Sequence, residues 1–368
     1  MNEINLSIYK ENQIYFYMFD VLIKNTNSNK EEFLESIYIS PSSYRRAKLE
    51  GKKIGNQLIK ELCDYFKLKT FNIELIEEVE NKLNEIYFAM YYKIYDSYEI
   101  YLEWLENMIN EKYIFFPILK LFKLFLLLNH YAKGPLDMIN ENENLFEEIK
   151  KYKNFYNENI LEVFEIIETV NLKEIDKEIL SKNYTNELIC FGLASRCNLK
   201  GRLIESIYFA EIAKKKFIEA ENYKRVYYTN LILLSSYNML CRFEEAYELA
   251  KKQVLSLNSI GNKEFEYRSS ERSYLTACVG LCKFKEVIES LEKKDVLEVS
   301  EVCLLLISQY QIDKKEYIEI LKSLENESTK ELFLLLDNFL KTKDKKIIEK
   351  LEKYRIHPPI FEILKRMK

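Results

Sequence analysis

The sequence predicts an all-α fold. Its 368 residues include only 7 glycines and 5 prolines, about 3% of the chain, against roughly 12% in an average protein. Sandwiches, propellers and doubly wound sheets need many tight turns, and those turns use these two residues. Hydrophobic residues make up 48% of the chain and aromatic residues 14%. A large core can therefore form, and disorder is excluded as the dominant state.

Cysteine usage and the N-terminal sequence predict a cytoplasmic protein. The seven cysteines, an odd number, are scattered along the chain, and a chain of this size does not need disulfides. The first residues lack the basic start and apolar stretch of a signal peptide. The most apolar segment, 113–131, contains Pro117, Lys120 and Lys123, so we interpret it as a buried helix and not as a membrane span.

The first 70 residues predict four short helices. Apolar side chains recur at helical spacing over 14–25. Ser28 and Asn29 both offer caps, each followed three residues later by a glutamate at the spacing of a capping box, which predicts the start of a second helix. Pro41 is favoured at the first position of a third helix, which we expect to end near Gly51. A fourth helix is predicted over 54–68.

The charge of this N-terminal segment is distinctive. Residues 41–60 carry six basic side chains against Glu50 alone, a balance of +5 in a chain whose net charge is −4. Such a patch attracts a polyanion, or it is an ordinary solvated helix face. Two short helices joined by a tight turn, with the second one basic, form a helix-turn-helix. We therefore predict a DNA-binding domain over 1–70 and a second domain over 71–368.

Residues 14–68 resemble the Cro/C1-type helix-turn-helix domain, with FLESIYIS-PSSYRRAKLEGK in place of the second helix, turn and recognition helix. Leu34 replaces the family's small residue, and Tyr38 replaces its turn glycine, where a left-handed backbone is mildly strained. In that family the recognition helix enters the major groove of DNA. The alternative is a head that has lost its DNA affinity. The DNA-binding residues that the resemblance implies are Ser42, Ser43, Arg45, Arg46, Lys48, Lys52 and Lys53.

A repeated pattern predicts stacked helical hairpins between residues 187 and 295. The segments 200–213, 240–253 and 281–294 align at spacings of 40 and 41 residues, and each follows another helical stretch. The hairpins resemble tetratricopeptide repeats, which are usually ~34 residues long, although they lack the opening tryptophan and the closing proline. Such hairpins stack into a right-handed solenoid with a concave groove.

Serine and asparagine recur on the groove side of the tetratricopeptide frame. An asparagine amide both donates to and accepts from an extended peptide, and an arginine pairs with a carboxylate. The alternative for each side chain is simple exposure to solvent. The predicted peptide-binding residues are Ser195, Asn198, Tyr228, Ser235, Asn238, Arg272 and Thr276.

Signals for catalysis are weak. The chain has two histidines, and its few glycines are too dispersed to build a phosphate-binding loop. Cys278 and Cys282 are four residues apart, as metal ligands can be, but both fall at core positions of the repeat and are interpreted as packing residues. We predict no enzyme activity, no cofactor and no metal site.

As a whole, the chain resembles the RNPP family, the peptide-pheromone receptor regulators of Gram-positive bacteria, together with their arbitrium-type relatives. The resemblance implies a cytoplasmic, homodimeric transcription regulator for quorum sensing that binds DNA and a short signalling peptide. We expect the dimer contact within 300–368. One alternative is a tetratricopeptide-like adaptor that holds a protein partner. Another is a response-regulator phosphatase or antagonist that does not read DNA.

Overall fold

The computed structural model describes residues 3–10, 12–26, 29–50, 54–70, 73–94, 96–129, 142–171, 174–260, 264–294, 297–312, 327–354, 356 and 358–367. Within these residues the chain is helical, and its only β-type pairing is one isolated bridge between Lys69 and Tyr113. The predicted all-α class is therefore confirmed. The chain divides into two compact units, Met1–Glu174 and Ile175–Lys368. The domain boundary predicted at residue 70 falls inside the first unit and stays a prediction.

The first unit begins with the four short helices that the sequence predicts. Two 3-10 turns, Ser7–Lys10 and Asn12–Ile14, precede α1 (Tyr15–Lys24), α2 (Lys30–Ser36), α3 (Pro41–Glu50) and α4 (Ile54–Phe66). The helix α2 begins where predicted, because the Asn29 side chain accepts a hydrogen bond from the Glu31 amide at 3.1 Å. Aromatic rings fill the centre: Phe66 stacks on Phe19 and on Phe33, with ring centroids 6.2 and 5.8 Å apart.

The rest of the first unit packs around one apolar helix. Its helices are α5 (Ile73–Tyr91), α6 (Tyr98–Asn110), α7 (Phe116–Asn129), α8 (Glu143–Lys150) and α9 (Glu158–Val170). The predicted apolar segment forms α7, which contacts all four of the others and is buried along most of its length. Among the described helices, none is long and apolar enough to cross a membrane.

The N-terminal helices are tied to this second group of helices. The Ile4 amide donates to the Asn84 side chain on α5 at 2.7 Å, and the Tyr9 hydroxyl donates to the Phe155 carbonyl at 2.9 Å. Tyr9 is buried, and burial raises its pKa well above the usual value. These bonds anchor the chain that leads into α1.

The second unit contains the predicted hairpins. Its helices are α10 (Lys177–Ser181), α11 (Glu187–Leu199), α12 (Leu203–Glu219), α13 (Tyr223–Met239), α14 (Phe243–Ile260), α15 (Glu264–Gly280), α16 (Phe284–Leu291), α17 (Val299–Ile312), α18 (Glu327–Thr342), α19 (Lys345–Leu351) and α20 (Pro358–Arg366). The pairs α11–α12, α13–α14 and α15–α16 are hairpins, and their first helices lie next to one another. The sequence also predicts weaker hairpins on either side of these, such as 317–324 and 347–354. The first of these segments lies outside the described residues, and α19 covers most of the second.

The turn of each hairpin contains one residue with a left-handed backbone. These residues are Gly201, Cys241 and Cys282, with φ of 72°, 58° and 58°. The sequence interpretation of the cysteines is half right: Cys278 is fully buried, but Cys282 is exposed at the turn and is not a core residue. The four-residue spacing from Cys278 suggested a core position for Cys282, because spacing alone does not show that α15 ends at Gly280.

Candidate functional site

The helix α3 is built to start abruptly after a tight turn. The Ser40 hydroxyl accepts a hydrogen bond from the Ser43 amide at 3.1 Å, and Pro41 occupies the first helical position, where its missing N–H costs nothing. Ser40 also donates to the Ser43 hydroxyl at 2.8 Å. This cap fixes the first turn of α3, which carries Ser42 and Ser43.

The turn between α2 and α3 contains the left-handed residue predicted from sequence. Tyr38 has φ 62°, and its side chain is 99% exposed. The Tyr38 amide donates to the Glu35 carbonyl, and the Ile39 amide donates to the Leu34 carbonyl at 2.8 Å. This pair of bonds closes the end of α2 as glycine-containing turns do, although a tyrosine occupies the strained position.

The inner face of α3 is held against α1 by one carboxylate. Asp20 accepts hydrogen bonds from the Tyr44 hydroxyl at 2.9 Å, from Lys48 at 2.6 Å and from Lys30 at 2.5 Å. Tyr44 is buried, and its ring packs edge-on against Phe16 with centroids 5.0 Å apart. Burial acts to raise the pKa of Asp20, but the hydrogen bonds outweigh it and hold the pKa below its usual value. Asp20 thus joins α1, α2 and α3.

The outer face of α3 is polar and basic. Ser42, Arg45, Arg46 and Leu49 are exposed and lie on one face, at the spacing i, i+3, i+4 and i+7. Neither arginine forms an ion pair or hydrogen bond with any residue that the structure describes. Leu49 is 69% exposed. Among the described side chains, this outer face therefore offers two guanidinium groups that have no carboxylate partner.

The remaining predicted DNA-binding residues differ from these arginines. Lys48 points inward to Asp20, and its ammonium lies 4.1 Å from the centroid of the Tyr17 ring. Lys52 and Lys53 lie outside the described residues. The neighbouring helix α2 exposes three glutamates, so α2 does not extend the basic face of α3.

In the second unit, the predicted groove residues Asn198 and Ser235 are joined to neighbouring helices. The Asn198 amide on α11 donates to the Ser236 hydroxyl on α13 at 2.8 Å, and Ser235 donates to the Asn198 carbonyl oxygen at 3.2 Å. Ser236 donates to Ser206 on α12 at 3.0 Å, and Ser206 donates to the Ala194 carbonyl at 2.8 Å. A continuous chain of hydrogen bonds therefore links α11, α12 and α13.

Sequence reasoning missed the buried members of this chain, Ser206 and Ser236. In the alignment of the repeats, Ser206 falls at a position for small core residues, and this agrees with its small side chain and its burial. A serine at a core position could have indicated a hydrogen bond, because a buried hydroxyl almost always has a partner. Ser195, the first predicted groove residue, is half-buried and lies one turn before Asn198.

The other predicted groove residues also have partners within the protein. Asn238 is fully buried and donates to the Ser273 carbonyl at 3.1 Å. Thr276 is fully buried and donates to the Arg272 carbonyl at 2.8 Å. Tyr228 is half-buried and packs edge-on against Tyr227, with centroids 5.2 Å apart. Of the predicted set only Asn238 and Thr276 are fully buried, and the contact of the half-buried members with a peptide stays a prediction.

A charge cluster that the sequence did not indicate lies between α15 and α17. Lys294 donates to Glu271 at 2.5 Å and to Glu301 at 2.7 Å, and both carboxylates are buried. Burial acts to lower the pKa of Lys294, but its two carboxylate partners raise it above the usual value. Next to it, Arg272 pairs with Glu298 at 2.5 Å. The predicted peptide-carboxylate partner Arg272 is therefore already paired within the protein.

Within the described residues, no three histidine, cysteine or acidic side chains come together as metal ligands. Comparison of the chain with known proteins matched no family model, no curated protein and no solved structure.

Proposed function

We propose that the chain is a DNA-binding transcription regulator that reads duplex DNA through α3. The observation that supports this most is the outer face of α3, where Arg45 and Arg46 are exposed without a carboxylate partner in the described part of the chain. Arginine forms paired hydrogen bonds with the O6 and N7 atoms of guanine in the major groove. It also forms strong charge-assisted bonds with phosphate.

The contacts divide by position on α3. Ser42 and Ser43 are at the start of the helix, where the hydroxyls are placed for phosphate or base edges. Arg45 and Arg46 follow one turn later and, in this proposal, contact both phosphates and base edges. In this proposal Lys48 orients α3 through Asp20 instead of contacting DNA, and Lys52 and Lys53 are kept from the sequence prediction as contacts to the DNA backbone.

Duplex binding measured against salt concentration tests this proposal. Full-length protein is titrated into a labelled pool of randomised duplexes, and bound sequences are selected and remeasured. We expect a steep negative salt slope that becomes shallower in Arg45→Ala/Arg46→Ala, by about one for each lost phosphate contact. The matched control is Lys150→Ala/Lys151→Ala, which removes two exposed lysines of the same unit. Equal slopes in the two double variants and no selected sequence would refute the proposal.

The same proposal includes control by a short signalling peptide bound along α11, α13 and α15 of a homodimer. Two α3 helices in a dimer would read half-sites about 34–36 Å apart. A peptide that favours one spacing changes DNA affinity, and by linkage DNA changes peptide affinity by the same factor. The half-buried Ser195, Tyr228 and Ser235 support this part of the proposal, because a ligand reaches them without breaking the buried bonds of Asn238.

Calorimetry with peptides encoded beside the gene tests the peptide site. Tyr228→Ala should weaken binding, whereas Tyr223→Ala, an exposed tyrosine of the same helix, should not. Equal affinities of the two variants would remove Tyr228 from the site. An adaptor or response-regulator antagonist would instead show no salt-dependent duplex binding at all.

A further inference from the structure

A cavity of about 300 Å³ opens in the second unit where α15 turns into α16. It lies at the turn end of the hairpins. Its walls are apolar, formed by Phe243, Val279, Phe284, Ile307, Ile363 and Met367. Cys282, Gln311 and Arg366 bring polar atoms to its lining. A mostly apolar cavity with a few polar groups is the usual form of a small-molecule site.

Gly280 lines the cavity and determines where the Phe243 ring can lie, because it has no side chain. A Cβ atom at this position would lie 2.4 Å from the Phe243 ring, closer than any real contact. The ring therefore packs directly on the backbone of α15. Cys282, two residues later, has φ 58° and turns the chain away from α15, which leaves the space between the helix ends open.

A second cavity of about 330 Å³ shares Cys282 and Phe284 with the first. Two lysines line it. The Lys283 ammonium is compensated, because it lies 3.6 Å from Glu286 and 3.5 Å from the centroid of the Tyr247 ring. Lys285 is exposed and forms no ion pair with a described residue, so the second cavity has a cation of its own.

Arg366 is the cation that lines the first cavity. It has no carboxylate partner among the described residues. It is exposed in the last turn of α20 and forms no ion pair or hydrogen bond with the described residues. The nearby carboxylate of Glu362 pairs with Lys365 instead, at 3.1 Å. Gln311 lies at the same cavity with an exposed amide. One positive charge beside apolar walls is complementary to an anion with a hydrocarbon chain.

We propose that this cavity binds a straight-chain carboxylic acid of medium length, with its hydrocarbon chain against Phe243, Phe284 and Met367 and its carboxylate on Arg366. The volume of about 300 Å³ lies at the lower end of the range of small-molecule sites, ~300–1,000 Å³, which suits a medium-chain acid and not a long-chain lipid.

Calorimetric titration of full-length protein with decanoate, below its micelle concentration, tests the site. We expect saturable binding that Arg366→Gln weakens about tenfold, because one charge-assisted hydrogen bond is lost. Lys365→Gln, which removes the neighbouring charge outside the cavity, should leave the affinity unchanged. Decanol should bind more weakly than decanoate and should not respond to Arg366→Gln. Gln311→Trp, at an exposed helical position, should block both ligands.

The reaction rate of the Cys282 thiol provides a second test, and this test does not require a variant of Arg366. Its exposed thiol borders both cavities, so bound decanoate should slow its reaction with a thiol reagent. Cys282→Ser identifies the signal. The absence of saturable decanoate binding would overturn the proposal, as would equal effects of Arg366→Gln and Lys365→Gln. Protection of Cys282 by decanol but not by decanoate would also overturn it. None of these results affects the DNA-binding proposal.

Discussion

Replacing Asp20 by asparagine tests how α3 is held in place. The change keeps the shape of the side chain but removes the charge that Lys30, Lys48 and Tyr44 share. We expect the first unit to lose stability at neutral pH, because a neutral amide binds two lysines less strongly than a carboxylate.

The expected loss is about 2 kcal/mol. The Lys48 pair, with side chains 24% and 28% exposed, contributes about 1 kcal/mol. The Lys30 pair is more exposed and screened by solvent, so it contributes about 0.3 kcal/mol. The weaker acceptor for Tyr44 accounts for about 0.5 kcal/mol.

The dependence on pH has a definite sign. The pKa of Asp20 is lowered in the folded protein. Its stabilisation is therefore present above the unfolded pKa of about 3.9 and is lost as the pH falls through the folded value. The difference between wild type and Asp20→Asn should shrink toward zero at acid pH.

Urea unfolding followed by tryptophan fluorescence measures this effect in the first unit. Trp104 on α6 is the single tryptophan of the chain, so its signal reports the unit that contains Asp20. Asp64→Asn, an exposed carboxylate on α4, is the matched control and should change the transition little. A stability difference that is the same at neutral and acid pH would refute the reasoning, as would equal losses in the two variants.

Three further changes have expected outcomes. Tyr38→Gly should stabilise the first unit by about 0.5–1 kcal/mol in the same assay, because a left-handed tyrosine costs more than the extra chain entropy of glycine; a loss of stability would contradict this. Gly280→Ala should destabilise the second unit by about 1–3 kcal/mol by displacing the Phe243 ring, measured by circular dichroism; an unchanged transition would show that the ring moves freely. Lys294→Met should cost about 3 kcal/mol because it leaves buried carboxylates uncompensated, and adding Glu301→Gln should recover part of the loss; no recovery would argue against the ion cluster.

The N-terminal helices could be predicted closely because their signals are local. The cap of α2 and the start of α3 at Pro41 each depend on a few consecutive residues, whereas the left-handed backbone of Tyr38 was expected from the resemblance alone. The role of Asp20 could not be predicted in this way. It is 28 residues from Lys48, and the sequence does not show which acidic side chain of α1 meets α3.

The repeats were predictable as hairpins but not as a binding surface. Recurrence placed Asn198 and Asn238 at equivalent positions, and the structure shows both in contact with the next hairpin. A polar residue on the inner face of such a helix meets either a ligand or the neighbouring helix. The distance between the helices decides which, and repeat spacing carries no information about that distance. Cys282 was assigned to the core for a similar reason, because its helix was assumed to continue.

The hydrogen-bond chain from Asn198 through Ser236 and Ser206 to Ala194 has a mechanical consequence. Apolar contacts let adjacent hairpins slide by small amounts, whereas hydrogen bonds weaken steeply when they are misaligned. Bending the array at this joint therefore requires breaking a bond within the chain, so the joint resists gradual flexing and yields in a discrete step. The two buried serines therefore tie the bending of this joint to the breaking of specific hydrogen bonds.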